Sequence, residues 1–169
     1  MNVRELALCG LFAAIVAVMS LITIPLPGGV PITLQTFAVP FCGYMLGAKR
    51  GLWAMLVYEA IGAVGLPVFS GMRGGIAVLA GPTGGFLVGF FAFVLLCGLR
   101  TRHRLTALLL GAAGLLLCHA AGCAWYAVAA GTSLISSFMT ASLPFLVKDF
   151  LSVTAAWVMA DICKKRLPI

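Results

Sequence analysis

Residues 105–130 read LTALLLGAAGLLLCHAAGCAWYAVAA, a run without a single Asp, Glu, Lys or Arg. As a helix rising about 1.5 Å per residue, it is long enough to cross the ~30 Å hydrocarbon core of a bilayer. The rest of the chain repeats the pattern. Apolar segments also cover 6–24, about 32–48 with Pro40 inside, 51–66, about 83–99, and 143–163. In lipid every backbone polar group must be satisfied within the segment, so these segments are predicted helices. Segments 32–48 and 51–66 are short for a full span. Each can tilt little, thin the bilayer locally or stop at a buried loop. The chain is therefore expected to be one domain over 1–169, an all-α integral membrane protein with six transmembrane helices in a compact bundle.

Composition agrees. Hydrophobic residues make up 63% and charged residues 9% of the 169, and mean hydropathy is +1.16. Soluble domains carry about 25% charged residues. A soluble enzyme, a disordered chain and a nucleic-acid binder are all poor fits. Segment 6–24 has a thin basic flank and no small-x-small site after it, so it is expected to be a retained helix rather than a cleaved leader.

The bases fix the expected orientation. Arg4 precedes the first segment, Lys49 and Arg50 separate the second from the third, and Arg100, Arg102 and Arg104 separate the fourth from the fifth. Lys164, Lys165 and Arg166 follow the sixth, so nine of the eleven bases lie at alternate ends. The other side holds Arg73 and Lys148. The positive-inside rule then puts both termini in the cytoplasm. The net charge of +7 reads as topology and contact with anionic lipid rather than nucleic acid.

No CxxC pair joins any of Cys9, Cys42, Cys97, Cys118, Cys123 and Cys163, so no disulfide framework is expected. Cys118 and His119 are adjacent and point apart on a helix, so with Cys123 they read as packing rather than metal ligands. Gly10, Ala13, Ala14 and Ala17 form interleaved small-xxx-small pairs. They serve either contacts within the bundle or the docking of a membrane partner. Gly111, Gly114 and Gly122 read as ordinary helix packing.

The loops facing away from the basic ends hold the unusual chemistry. Residues 25–35 read PLPGGVPITLQ, too proline-rich for a helix and too apolar for a solvated loop. Thr33 and Gln35 are its hydrogen-bonding groups, and a rigid extended linker is the alternative. Residues 65–85 hold seven glycines and one charge, Arg73. This segment is expected to fold as a glycine-rich loop capping an outward-facing pocket. Arg73, beside Gly74 and Gly75, either faces a ligand carboxylate or anchors at lipid headgroups. Thr83 follows Pro82 at a helix start that favours an anion.

Asp149 and Glu59 are acids inside apolar segments, where ionised groups usually face the bundle interior. Asp149 is expected to accept ligand N–H groups. Lys148, one residue away, is turned about 100° on the helix and need not pair with it. Glu59 either pairs with Arg73 or Lys148 or couples to a proton. Phe69, Tyr58, Trp125 and Tyr126 are candidate pocket walls. Asp161 lies beside Lys164 and Lys165 as a surface charge. The pocket calls for a small ligand with N–H donors at one end and an anionic group at the other. Catalytic motifs and an ATP-binding motif are missing from the sequence, so an uphill transporter would draw energy from an ion or a separate ATPase.

The stretches VPITLQ at 30–35, GLPVFSGMRGG at 65–75 and LAGPTGG at 79–85 resemble the BioY family, the biotin-specific substrate-binding subunits of energy-coupling factor transporters. The resemblance covers nearly the whole chain. It implies a non-enzymatic, multi-pass protein of a bacterial cell membrane that binds biotin from outside, with no cofactor. It further implies a transmembrane coupling subunit and two cytoplasmic ATPase subunits as partners, and some members act without a dedicated partner set. By resemblance, Arg73 and Asp149 bind the ligand. The ureido N–H groups suit Asp149, the valerate carboxylate suits Arg73 or Lys148, and Gln35, Thr33 and Thr83 complete the polar contacts. Ala13 and Ala17 inherit contact with the coupling subunit. The family often has Pro-Gly-Asp in its last helix with a lysine three residues on. This chain has Val147-Lys148-Asp149 and Ser152. The rival readings are an autonomous ion-coupled carrier or channel, motivated by Glu59 and Asp149, and a structural membrane subunit.

Overall fold

A computed structural model describes residues 2–26 and 29–166. Pro27 and Gly28 of the first loop lie outside the described residues. The described chain is built from eight helices: α1 (Val3–Leu21), α2 (Gln35–Leu46), α3 (Ala48–Ala63), α4 (Ile76–Ala80), α5 (Gly84–Cys97), α6 (Arg104–Ala130), α7 (Leu134–Ala141) and α8 (Leu143–Arg166). Two-residue strands β1 (Thr23–Ile24) and β2 (Ile32–Thr33) pair antiparallel and pin the ends of the first loop together.

Three helices, α1, α6 and α8, are long and apolar enough to cross a membrane. The other three segments expected to span form shorter helices. Helices α2, α3 and α5 have 12, 16 and 14 residues. At about 1.5 Å per residue, each is shorter than the hydrocarbon core. The shortfall has local causes. Gly47, at φ +81, ends α2 and begins α3 with no loop between them. Residues 64–75 turn before α5 rather than extending α3.

Helix α7 lies in a region where no element is predicted. Gly131 ends α6 in the left-handed region, at φ +64. Ser133 then caps α7 by accepting the Ser136 N–H at 3.2 Å.

Helix α1 buries the stripe Cys9, Phe12, Ala13, Val16 and Ser20, spaced at three and four residues as one helical face requires. Helices α5 and α6 cross closely at glycines. A Cβ on Gly89 would come within 2.8 Å of the Cys118 Cα, and one on Gly114 within 3.0 Å of the Phe93 ring. Small residues let helix backbones approach where lipid supplies no hydrophobic drive. Meanwhile Leu6, Leu11 and Val18 on α1, Leu109, Leu116 and Leu117 on α6, and Val147, Leu151 and Val158 on α8 are exposed. A surface this apolar along three long helices belongs in hydrocarbon rather than water. The fold is all-α and largely membrane-embedded. The six cysteines are free thiols, five of them buried.

Candidate functional site

The N-terminal third of α8 carries Asp149 into the bundle, where it is 2% exposed. A carboxylate so placed needs donors on every side. Thr36, in the first turn of α2, donates its hydroxyl to Oδ1 at 2.6 Å. Lys148 forms an ion pair with the same oxygen. On the far side, His119 of α6 meets Oδ2 through Nε2 at 3.1 Å, and its Nδ1 meets the Ser142 hydroxyl. With Asp149 ionised, a neutral imidazole fits both contacts, donating from Nε2 and accepting at Nδ1. Phe86 packs its ring edge-on against His119.

The expectation that Lys148 points away from Asp149 is therefore corrected. Adjacent Cα positions do diverge, but the four-carbon stem of lysine folds back. Its ammonium also donates to Thr33 O at 3.0 Å and Thr36 Oγ1 at 2.8 Å. One ammonium thus ties α8 to β2 and the start of α2.

A second polar run lies beside the first. Thr33 donates its hydroxyl to Gln35 Oε1 at 3.0 Å, Gln35 Nε2 donates to Tyr58 Oη at 2.9 Å, and Tyr58 donates on to Val68 O at 3.3 Å. Ser20 also donates to Val68 O. Tyr58 stacks edge-on with Phe69. Phe69 occupies the space left by the missing side chain of Gly62, where a Cβ would strike the ring.

These groups surround a cavity of ≈ 60 Å³. Thr33, Gln35, Thr36, Ser70, Thr83, His119, Lys148 and Asp149 form its polar lining, while Phe69, Phe86, Leu87, Phe90 and Phe145 form its apolar wall. The Thr83 side chain makes no cap bond to α5 and is available to a ligand.

Of the residues expected at the site, Asp149, Lys148, Gln35, Thr33 and Thr83 come together, with Phe69 as a wall. Tyr58 lies behind Gln35 rather than in the lining. Arg73, Gly74 and Gly75 do not line the cavity either. The reason is that the loop closes on itself. Phe69 and Arg73 pair through their backbones, and Arg73 Nε donates to Ser70 O at 3.1 Å, leaving the side chain exposed. Close approach at Gly74 is to its own loop, since a Cβ there would lie 2.7 Å from Gly65 O. Gly75, at φ +94, donates its N–H to Gly62 O at 2.7 Å and starts α4. These glycines fold the loop, and the loop delivers Phe69 and Ser70 to the cavity.

Trp125 donates from Nε1 to Gly81 O at 3.0 Å, so it braces the loop instead of walling the cavity. Tyr126 is also absent from the lining. Glu59 pairs with neither Arg73 nor Lys148; its Oε1 is buried without a hydrogen-bond partner among the described residues. On α1, Ala13 is 2% exposed and Ala17 packs partly against the core. Of the four small residues expected to dock a partner, Gly10 and Ala14 are the exposed ones. Ala13 is thus engaged inside the bundle, because it shares the buried stripe with Cys9 and Val16.

Thr36, Ser70 and Ser142 complete the site without having been singled out from the sequence, and His119, read there as packing, joins them. His119 carried a usable signal, as the one basic side chain within the 105–130 run. Thr36 and Ser70 are adjacent to singled-out residues, and nothing in their own sequence context separates them.

The fold and the site together define a largely membrane-embedded helical protein with a small, charge-paired cavity under a folded loop. The chain belongs to the BioY family, whose sequence profile matches residues 1–169. A "Probable biotin transporter BioY" from Pyrococcus horikoshii is 37% identical over 164 residues, covering 95% of this chain and 96% of that protein. A "Biotin transporter BioY" from Rhizobium etli is 35% identical over 173 residues, covering 92% and 90%. The fold is also similar to the crystal structure of "the S-component for biotin from an ECF-type ABC transporter", with a TM-score of 0.88 at 24% identity, over 96% of this chain and 92% of that one.

Proposed function

We propose that this protein captures biotin at the outer face of the membrane, as the substrate-binding subunit of an energy-coupling factor importer. The observation that carries the reading is the Asp149–Lys148 pair buried at the cavity of a BioY-family chain. A carboxylate has about four lone-pair sites. Oδ1 already meets Thr36 and Lys148, whereas among the described residues Oδ2 meets only His119. Oδ2 therefore retains room for one ligand N–H. Beside it, the Lys148 ammonium becomes a donor to a ligand carbonyl once that carbonyl replaces one of its three present acceptors, Thr33 O, Thr36 Oγ1 and Asp149 Oδ1. An acceptor and a donor side by side complement the edge of a cyclic urea, which offers N–H next to C=O.

The carboxylate of biotin sits at the far end of an aliphatic tail. Lys148 is committed to the ring end, so Arg73 is the base for the tail. Arg73 is linked to the lining through Ser70 and reaches the tail once the loop adjusts. Gly74 and Gly75 supply the turn that allows this, Gln35, Thr33 and Thr83 complete the polar contacts, and Tyr58 holds Gln35 in place. Ligand pockets usually run to about 300–1,000 Å³. At ≈ 60 Å³ the cavity must widen to admit biotin, and residues 64–83 are the segment to move.

The chain crosses the bilayer six times in this reading, the shorter helices α2, α3 and α5 crossing with their flanking turns. Both termini are cytoplasmic and the Asp149 cavity opens outward. The alternation of bases supports this orientation. So does spacing along α8, where Lys164 follows Asp149 by about 22 Å at 1.5 Å per residue. The partners are a transmembrane coupling subunit, docked on the α1 face that exposes Gly10 and Ala14, and two ATPase subunits. Ala13 and Ala17 shape that face from within.

Calorimetry on detergent-purified protein tests the reading. Biotin is expected to bind saturably at one site, and the same protein without measurable biotin binding overturns the assignment.

A further inference from the structure

The bundle end away from Asp149 holds a second cavity of ≈ 630 Å³. Its walls come from the α2–α3 corner, the α5–α6 connection, the first turns of α6 and the last turns of α8. Arg50, Arg100, Arg102, Arg104 and Lys164 line it, and Asp161 is the one acid in its lining. Asp161 is already engaged by Lys165 at 2.6 Å. Arg50 Nε donates to Leu46 O at 3.0 Å, and the Arg104 guanidinium lies 5.9 Å from the centre of the Trp157 ring. Arg100, Arg102 and Lys164 form no ion pair among the described residues. Helix α6 also begins here, and its N-cap His103 makes no side-chain bond to the open first-turn N–H groups.

Orientation in a membrane requires bases near the ends of spans. It does not require them to surround a hollow. Like charges around a shared hollow repel unless an anion lies between them. We propose that this cavity binds the phosphodiester headgroup of an anionic phospholipid. The lining has two chemistries. The bases suit a phosphate oxygen, while Leu46, Leu99 and Trp157 present an apolar wall. A free phosphate uses only the first; a phospholipid uses both. The cavity lies at the ends of α6 and α8, two of the long apolar helices, so lipid headgroups are its neighbours. Basic pockets between helices on the cytoplasmic side of a membrane commonly hold such headgroups. The proposal rests on the membrane-embedded fold and on this end being cytoplasmic, not on what binds at Asp149.

Native mass spectrometry of the purified chain tests it, with phosphatidylglycerol or phosphatidylcholine added in non-ionic detergent. One phosphatidylglycerol is expected to be retained per chain, and phosphatidylcholine is not. Arg100→Gln with Lys164→Gln is expected to weaken retention at least about tenfold, the loss of a single charge-assisted contact. Lys49→Gln removes the same kind of charge at the same end but outside the lining, and is expected to change nothing. Arg102→Gln, on the exposed connection, gives an independent reading should the double variant misfold. Equal retention of the two lipids, or equal losses in Lys49→Gln and the cavity variants, overturns the proposal. Displacement of the lipid by millimolar inorganic phosphate also overturns it, in favour of a soluble-phosphate site. Biotin affinity, measured on the same samples, is expected to stay unchanged. Its loss in the unaltered chain bears on the biotin reading alone.

Discussion

Replacing Asp149 by asparagine keeps the shape of the side chain and removes its charge. The amide must then choose an orientation. Thr36 and Lys148 present donors to Oδ1, with Thr36 at 2.6 Å, so the amide oxygen turns toward them. Its NH2 group then faces His119 and the incoming ligand, and a ligand N–H meets a donor instead of an acceptor. The loss is at least one charge-assisted hydrogen bond, about 1.5–3 kcal/mol. That corresponds to a dissociation constant for biotin roughly 10- to 150-fold weaker. The fold suffers less. The Lys148 side chain is 32% exposed and can turn its ammonium toward water, so destabilisation is held to about 1–3 kcal/mol, below the usual cost of stranding a buried charge. Calorimetric titration read beside a thermal unfolding curve separates the two effects. A folded Asp149→Asn protein that binds biotin as tightly as the unaltered chain would refute the role given to this carboxylate.

Arg73→Ala is expected to weaken biotin about tenfold, yet leave biotin methyl ester unchanged, because the ester lacks the charge that arginine recognises; equal losses for both ligands, measured by competition, remove Arg73 from the tail. Lys148→Met keeps the apolar stem and loses the ammonium, so it should weaken biotin and its methyl ester alike, again by about tenfold. Gly62→Ala forces the Phe69 ring toward the cavity. It should lower stability by about 1–3 kcal/mol, as overpacking does, and reduce biotin affinity; unchanged melting and binding contradict the packing described. Glu59→Gln is expected to leave biotin affinity intact, since Glu59 is not in the lining, and uptake by this chain that requires Glu59 and a proton gradient would instead support an ion-coupled carrier.

The sequence was most informative where a single physical term dominates. Six apolar runs separated by alternating bases gave an all-helical, membrane-embedded fold, and the positions of α6 and α8 follow those runs closely. Helix length was harder to read. Hydropathy sees apolar residues, not backbone turns, so 32–34 looked like helix although β2 and its turn occupy them. At the site, Asp149 was legible because an acid in hydrocarbon is costly. Its surroundings were not, because which donors meet it depends on how α2, α6 and α8 pack. The same limit explains Arg73 and Ala13. Their residue types suit a ligand and a partner, but only the loop closure between Phe69 and Arg73 and the rotation of α1 reveal which way each faces.

Labelling of Ser70→Cys with a membrane-impermeant maleimide in intact cells, with and without biotin, tests the account most directly. Ser70 lines the cavity and lies in the loop proposed to move. The new thiol should react from outside beyond the background of the unaltered chain, and biotin should slow the reaction. Reaction only after the membrane is permeabilised, or at a rate indifferent to biotin, would contradict an outward-opening biotin site beneath this loop.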